Sequence, residues 1–284
     1  MRIFTRTILF FALFGACLGA ADRAEALKFG ELLDPKTLEQ ATQALQGSEG
    51  VPLVGNPSDA EEEALGREVA GRLLATAPLV NDPALQKYVN QVGVYVAQQS
   101  SRPQLNWTFG VIASDDINAF AAPGGYIFLT SGLYRMLQNE AELAGILGHE
   151  ITHVNLRHHV KLLQKTRLLA KGKDLLAKKQ SATVQELAGT GAELYARSLD
   201  KEAEFACDRF GIEYAARAGY EPFAYIDVLD RIGASDRSDQ LALLFKTHPH
   251  PADRIDALTQ TLGNRWDSLG GVTPQRWVKL AAGK

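Results

Sequence analysis

Cysteine is scarce in this sequence. Cys17 and Cys207 are the two present in 284 residues, and two thiols exclude a disulfide-stapled scaffold. Neither sign of charge dominates: 30 Lys and Arg face 33 Asp and Glu, a formal net charge of −3. That balance lacks the basic footprint of a nucleic-acid binder, so no nucleic-acid partner is expected. Beyond the N-terminal stretch, no apolar run reaches the roughly 18 residues that a spanning helix needs. Membrane contact is therefore expected to be peripheral, or through a lipid. Internal repeats and low-complexity tracts are also missing. What remains is ordinary globular composition, 46% hydrophobic and 22% charged, with enough length for a sizeable core.

Residues 1–26 read as an export signal. Arg2 and Arg6 give a basic start, and Ile8 to Ala20 is an apolar run. Gly19-Ala-Ala21 and Ala24-Glu-Ala26 are small-x-small sites, so cleavage is expected near Ala21 or Ala26. The apolar run is too short to span a bilayer comfortably. Phe14-Gly-Ala-Cys17 also resembles the box before the lipidated cysteine of bacterial lipoproteins, with Phe14 where an aliphatic residue is usual. Lipidation at Cys17 is the second reading of this stretch. Without it, Cys207 is left as a lone, buried, inert thiol.

Residues 27–46 are predicted helical, and the Gly-, Pro- and Ser-rich stretch 47–58 a linker. Ser58 or Asp59 caps the next helix, whose first turn holds Glu61, Glu62 and Glu63, where the helix dipole favours acids. Pro78 stops it. Asp82-Pro83 opens another helix, with Leu85, Tyr88, Val89, Val92 and Val96 at helical spacing. From Asn106 the texture changes. Trp107, Phe109 and Val111 alternate with small or polar residues, Asn118 to Ala122 is extended, and Pro123-Gly-Gly125 turns into Tyr126 to Thr130. These segments predict a small antiparallel sheet. Ser131 to Leu262 is predicted mostly helical, and 263–284 is a tail.

Asn139 caps a helix with Glu142 as its capping-box partner. That helix carries His149-Glu-Ile-Thr-His153. Histidines at i and i+4 project from one face, one turn apart, so both imidazoles reach a single tetrahedral ion. Zinc prefers this ligand set. Glu150, beside the first histidine, is placed to take a proton from a zinc-bound water. The apolar run Leu143 to Leu147 and Gly148 imply a buried helix, where bare histidines would be costly. A catalytic zinc needs a third protein ligand and one open position. Glu202, Glu204 and Asp208 on a downstream helix are candidates. Glu204 and Asp208, four apart, share a face, so one can bind metal while the other orients a ligand histidine. His158 and His159 follow more than a turn after His153 on the same predicted helix. They are expected to be structural or solvated.

Several blocks in order resemble the zinc metallopeptidase family of HtpX, Oma-type and BepA-type proteases and the CAAX prenyl endopeptidases. They are Asn118 to Thr130, Ala144 to Val154, Glu204-Phe-Ala-Cys-Asp208 and Thr247-His-Pro-His-Pro-Ala-Asp-Arg254. The resemblance covers roughly residues 60 to 262. It implies Glu204 as third ligand, Asp208 as partner of a ligand histidine, and Glu202 as a surface acid. His248 matches the late His-Pro histidine. A histidine near the zinc can stabilise the oxyanion or fill the open position and hold the enzyme latent; both readings stand. Arg254 would steady the cleft through a carboxylate or stabilise the transition state. Asn118, Ala119 and Phe120 resemble an edge that pairs with substrate backbone.

The expected protein is α+β, a mainly helical zincin-like domain over 59–262 with the small sheet beside the zinc helix. The expected activity is zinc-dependent endopeptidase hydrolysis, with one Zn2+ per chain. By resemblance to BepA-type members, its substrates are misfolded or stalled cell-envelope proteins in the bacterial periplasm, with outer-membrane assembly machinery as a possible partner. No tetratricopeptide period follows Leu262. A chaperone-like assembly factor with a latent protease site is the alternative. The basic segment 161–190, rich in Lys and Leu, reads as a solvated amphipathic helix, a lid or a surface near lipid.

Overall fold

The computed structural model describes residues 55–164, 201–235 and 238–262. The export signal, the 27–46 helix, most of the linker and of the 161–190 segment, and the tail lie outside the described residues.

Helix α1 (Asp59–Thr76) is capped by Ser58, not Asp59. Ser58 Oγ accepts from Glu61 N at 3.3 Å, and Glu61 Oε2 accepts from Ser58 N at 2.8 Å, a complete capping box. The helix ends at Ala77, before Pro78. Helix α2 (Pro83–Ala97) opens with proline, whose missing N–H is harmless there. Asp82 Oδ1 accepts from the N–H groups of Ala84 and Leu85. Its buried Leu85, Val89, Val92 and Val96 form one stripe at helical period.

Strands β1 (Thr108–Ile112), β2 (Ala119–Ala122) and β3 (Tyr126–Thr130) form one sheet in the order β1-β3-β2. β2 and β3 are antiparallel as expected, with Ala119 opposite Leu129 and Ala122 opposite Tyr126. Gly124 and Gly125 turn the chain between them at φ 74 and φ 100, values that favour glycine. β1 instead runs parallel to β3, Thr108 beside Tyr126. The sheet is therefore mixed, which corrects the expected antiparallel one. Alternation reveals a strand but not its neighbour. The link after β1 steps across two strand spacings, roughly 10 Å, and β3 returns to fill the gap. The outer edge of β1 is covered: Gln86 Oε1 accepts from Val111 N and Asn90 Oδ1 from Phe109 N, each at 2.9 Å.

Helix α3 (Ser131–Met136) leads into α4 (Glu140–Asn155), which is buried from Glu140 to Val154. Asn139 caps it, Oδ1 accepting from Glu142 N at 2.9 Å. The Glu142 carboxylate accepts from Gln138 N and from Arg231, one residue off the expected reciprocal bond. Glu140 accepts from the hydroxyls of Tyr88 and Tyr220, each at 2.8 Å. Leu143, Leu147 and Ile151 join the main core with residues of α2, α5 (Lys201–Arg217) and α6 (Ala224–Gly233). Helices α7 (Ser238–Leu241), α8 (Leu244–Thr247) and α9 (Pro251–Leu262) complete the described fold. It is α+β and mainly helical, as expected. Among the described residues no helix is long and apolar enough to cross a membrane.

Candidate metal centre

Helices α4 and α5 cross with their backbones touching. A Cβ on Gly148 would stand 2.4 Å from Gly211 O, and one on Gly211 would stand 2.5 Å from His149 N. Only two glycines permit this approach. It carries Glu204, two turns earlier on α5, to the histidine face of α4.

The Nε2 atoms of His149 and His153 lie 3.0 Å apart. Glu204 Oε2 is 3.5 Å from His149 Nε2, and Oε1 is 3.5 Å from His153 Nε2. His248 Nε2 lies 3.6 Å from Glu204 Oε2. Donors bound at about 2.1 Å to one tetrahedral ion stand roughly 3.4 Å from each other, so these separations fit a shared metal. The carboxylate carries the same message. Glu204 is fully buried, and neither oxygen has a hydrogen-bond partner. Such a group is costly unless a cation meets it. The four donors His149, His153, Glu204 and His248 thus form one group able to hold a metal ion.

Behind His149 stands a buried polar network. Its Nδ1 is 2.8 Å from Asp208 Oδ1. Asp208 also accepts from Arg254, Nε to Oδ2 at 3.0 Å and Nη2 to Oδ1 at 2.5 Å. Tyr225 donates its hydroxyl to Asp208 Oδ1 at 2.7 Å. Burial works against charge on Asp208, but Arg254 and His149 hold its carboxyl far below the usual carboxylate range. Burial likewise opposes a proton on His149, yet the hydrogen bond to Asp208 and the nearby Glu204 carboxylate raise it to about 9. His153 is held well below its ordinary value by burial and by neighbouring His149. Arg254 is itself buried and paired with the Asp208 carboxylate, and it also lines the cavity beside Glu150.

Glu150 is 5% exposed. Burial raises its carboxyl to about 7, His149 opposes the rise and Glu204 adds to it. A cavity opens beside it and His149. Ala119 of β2 lines it, and much of the remaining wall is apolar, including Ile146, Leu229, Ile232 and Leu244. Asn118 is buried, its N–H and C=O bonded to Thr130, while Phe120 is half-buried on β2, the outer strand on this side. Glu202 is exposed, as the resemblance implied, and so is His250. Cys207 is fully buried, and burial pushes its thiol well up.

Two residues that matter here escaped the sequence. Tyr225 has no pattern around it that separates it from a core tyrosine. His158, more than a turn past His153, is expected from the sequence to be only structural or solvated, since a straight helix would carry it away from the ligand face. The helix is not straight. α4 ends at Asn155, Arg157 takes φ 55, and helix resumes at 158. His158 Nδ1 thereby comes within 3.1 Å of His153 Nδ1. The His159 ring also lies near His153, at 5.6 Å, outside the four-donor group.

The chain was also compared with known proteins. The pattern of peptidase family M48 matches residues 83–262. The chain is 33% identical over 211 residues to the beta-barrel assembly-enhancing protease of Escherichia coli (strain K12), covering 69% of this chain and 42% of that protein. It is 30% identical over 281 residues to the putative beta-barrel assembly-enhancing protease of Vibrio cholerae, covering 90% and 52%. The mitochondrial metalloendopeptidase OMA1 of Arabidopsis thaliana is 27% identical over 183 residues, covering 64% and 37%. The chain thus spans about half the length, or less, of these curated relatives.

Proposed function

Because the chain belongs to peptidase family M48, we propose that it is a zinc-dependent endopeptidase, with His149, His153 and Glu204 holding the ion. One observation carries this reading: a fully buried Glu204 carboxylate without hydrogen-bond donors, facing two imidazole nitrogens at 3.5 Å. When bound, zinc supplies Lewis acidity to the scissile carbonyl and lowers the pKa of water in the cleft. Glu150 takes a proton from the attacking water and hands it to the leaving amine. A carboxyl raised to about 7 by burial suits passing a proton in both directions near neutral pH. Asp208, steadied by Arg254 and Tyr225, keeps the His149 ring in register. The outer edge of β2 at Ala119 and Phe120 would take extended substrate backbone, with Asn118 anchoring the strand to Thr130. The apolar cavity beside Glu150 suits an apolar side chain of the protein being cut.

The substrates proposed are misfolded or stalled proteins of the bacterial envelope, and outer-membrane assembly machinery is the proposed partner. Support comes from relatives whose names refer to beta-barrel assembly. Export to the periplasm, or tethering through a lipidated Cys17, follows from the N-terminal sequence alone.

A second reading has its own observation. His248 Nε2 sits 3.6 Å from Glu204 Oε2, where a fourth protein donor would close a tetrahedral ion. A site closed in this way is latent, and the chain would then act chiefly as an assembly factor. Cleavage of an unfolded protein by zinc-loaded wild type, but not by Glu150→Gln with its zinc retained, supports the peptidase. Cleavage only after His248→Ala supports the latent site. Zinc binding with no cleavage by wild type or by His248→Ala would overturn the peptidase reading.

A further inference from the structure

The two histidines of α4 are not supported alike. His149 Nδ1 faces a carboxylate, Asp208, at 2.8 Å. His153 Nδ1 faces another imidazole, His158 Nδ1, at 3.1 Å, the rings 5.2 Å apart and inclined at 74°. Two nitrogens at that distance form a hydrogen bond only if one carries the proton and the other a lone pair. The other nitrogen of His153 decides which. Its Nε2 faces His149 and Glu204, so it must keep its lone pair to bind an ion. A neutral His153 then carries its proton on Nδ1, and His158 Nδ1 is the acceptor.

We propose that His158 is the positioning residue for metal ligand His153, accepting its Nδ1 proton and thereby fixing the ring's tautomer and plane. This rests on the zinc reading above and adds a residue to it. Two features of the fold hold His158 in place. The first is the break after α4. Arg157 sits at φ 55, a left-handed value unusual outside glycine, which returns the next residue towards His153. Its guanidinium is held there by Glu62, Nε to Oε2 at 2.8 Å, and by Asp59, Nη2 to Oδ1 at 3.1 Å. Helix α1 thus sets the turn that delivers His158. The second is Cys207 of α5, whose Sγ lies 3.6 Å from the same His158 nitrogen. His153, His158 and Cys207 also form a group close enough to hold an ion of their own. An ion there would compete for the Nδ1 of a histidine already spent on the first site, which requires a fully deprotonated ring. The hydrogen bond needs no such ring and is the reading the geometry favours.

The test is zinc affinity, read by competition with a chromophoric chelator, together with zinc stoichiometry, on the full chain. The variants are wild type, His158→Asn, His158→Leu and Cys207→Ser, with a thermal melt of each metal-free protein. Asparagine puts a carbonyl acceptor near the Nδ1 position, whereas leucine fills the space without one. His158→Leu should weaken zinc binding about 10- to 100-fold, His158→Asn should restore most of it, and one zinc should bind throughout. Leucine matching wild type would reduce His158 to packing and overturn the proposal. Asparagine as weak as leucine would do the same, since the acceptor would not matter. Two zinc ions in wild type, one lost in Cys207→Ser, would replace the hydrogen bond with a second metal site. A wild type that binds no zinc overturns the zinc reading itself, and the others overturn only the role of His158.

Discussion

Gly211→Ala adds one methyl group where α4 and α5 touch. Its Cβ would stand 2.5 Å from His149 N and 2.8 Å from Gly148 C. Ordinary contact begins near 3.5 Å, so the helices must part by about 1 Å. Backbone on both sides leaves no flexible side chain to yield. In a helix interior, alanine favours stability over glycine by about 1 kcal/mol, and overpacking costs about 1–3 kcal/mol. The net loss is small, from near zero to about 2 kcal/mol. The larger effect falls on the metal centre. Ligand distances tolerate only about 0.2 Å of error, and Glu204 rides on the displaced helix two turns away. Zinc affinity should therefore fall steeply, and cleavage by on the order of 10²-fold, in a protein that still folds. Gly71→Ala is the control, since Gly71 sits within α1 with nothing within 4 Å of an added Cβ. It should gain about 1 kcal/mol of stability and keep its zinc. The assay is a chelator titration beside a urea melt for each variant. If Gly211→Ala keeps wild-type zinc affinity, the close crossing does not set the ligand geometry and the reasoning fails.

Tyr225→Phe removes the hydroxyl that donates to the ionised Asp208 and accepts from Arg254, while the bonds between Arg254 and Asp208 remain. Chemical denaturation should show a loss of about 1.5–3 kcal/mol, with weaker zinc binding; unchanged values for both would mean that the hydroxyl is idle. Glu62 is fully buried between Arg102, at 2.9 Å, and Arg157, at 2.8 Å. Burial raises its pKa, but the two arginines outweigh it and hold the carboxyl below its ordinary value. A depressed folded pKa means that its stabilisation is fully present above the unfolded value, about 4.3, and is lost as pH falls through the folded value. Wild type should therefore exceed Glu62→Gln in stability at pH 7, and the gap should shrink below about pH 4. A gap equal at pH 7 and pH 3 in urea melts would contradict that linkage.

The legible parts of the site were those carried by a single helix. His149 and His153 share a face by the helical period alone, and Glu150 follows from its place in the chain. Caps were legible for the same reason, since Ser58 and Asp82 act within three residues. Glu204 could be ranked above Glu202 and Asp208 only through resemblance, because spacing offers all three. The structure separates them by exposure and by partner: Glu202 is exposed, and the buried Asp208 turns to Arg254 and the far side of His149. The sheet shows the same limit, for alternation in β1 reveals a strand but not that β3 would lie parallel beside it.

Local periodicity, then, determined the elements, the histidine pair and the place of Glu150 beside it, because those depend on neighbours a few residues apart. Tertiary structure decided what stands behind them. The crossing of Gly148 on Gly211 brings Glu204 within reach, the polar network joins Asp208, Tyr225 and Arg254, and the break at Arg157 turns His158 onto His153. Each of these depends on backbones meeting, or on a helix breaking under contacts from another helix. Neither event leaves a period in the chain.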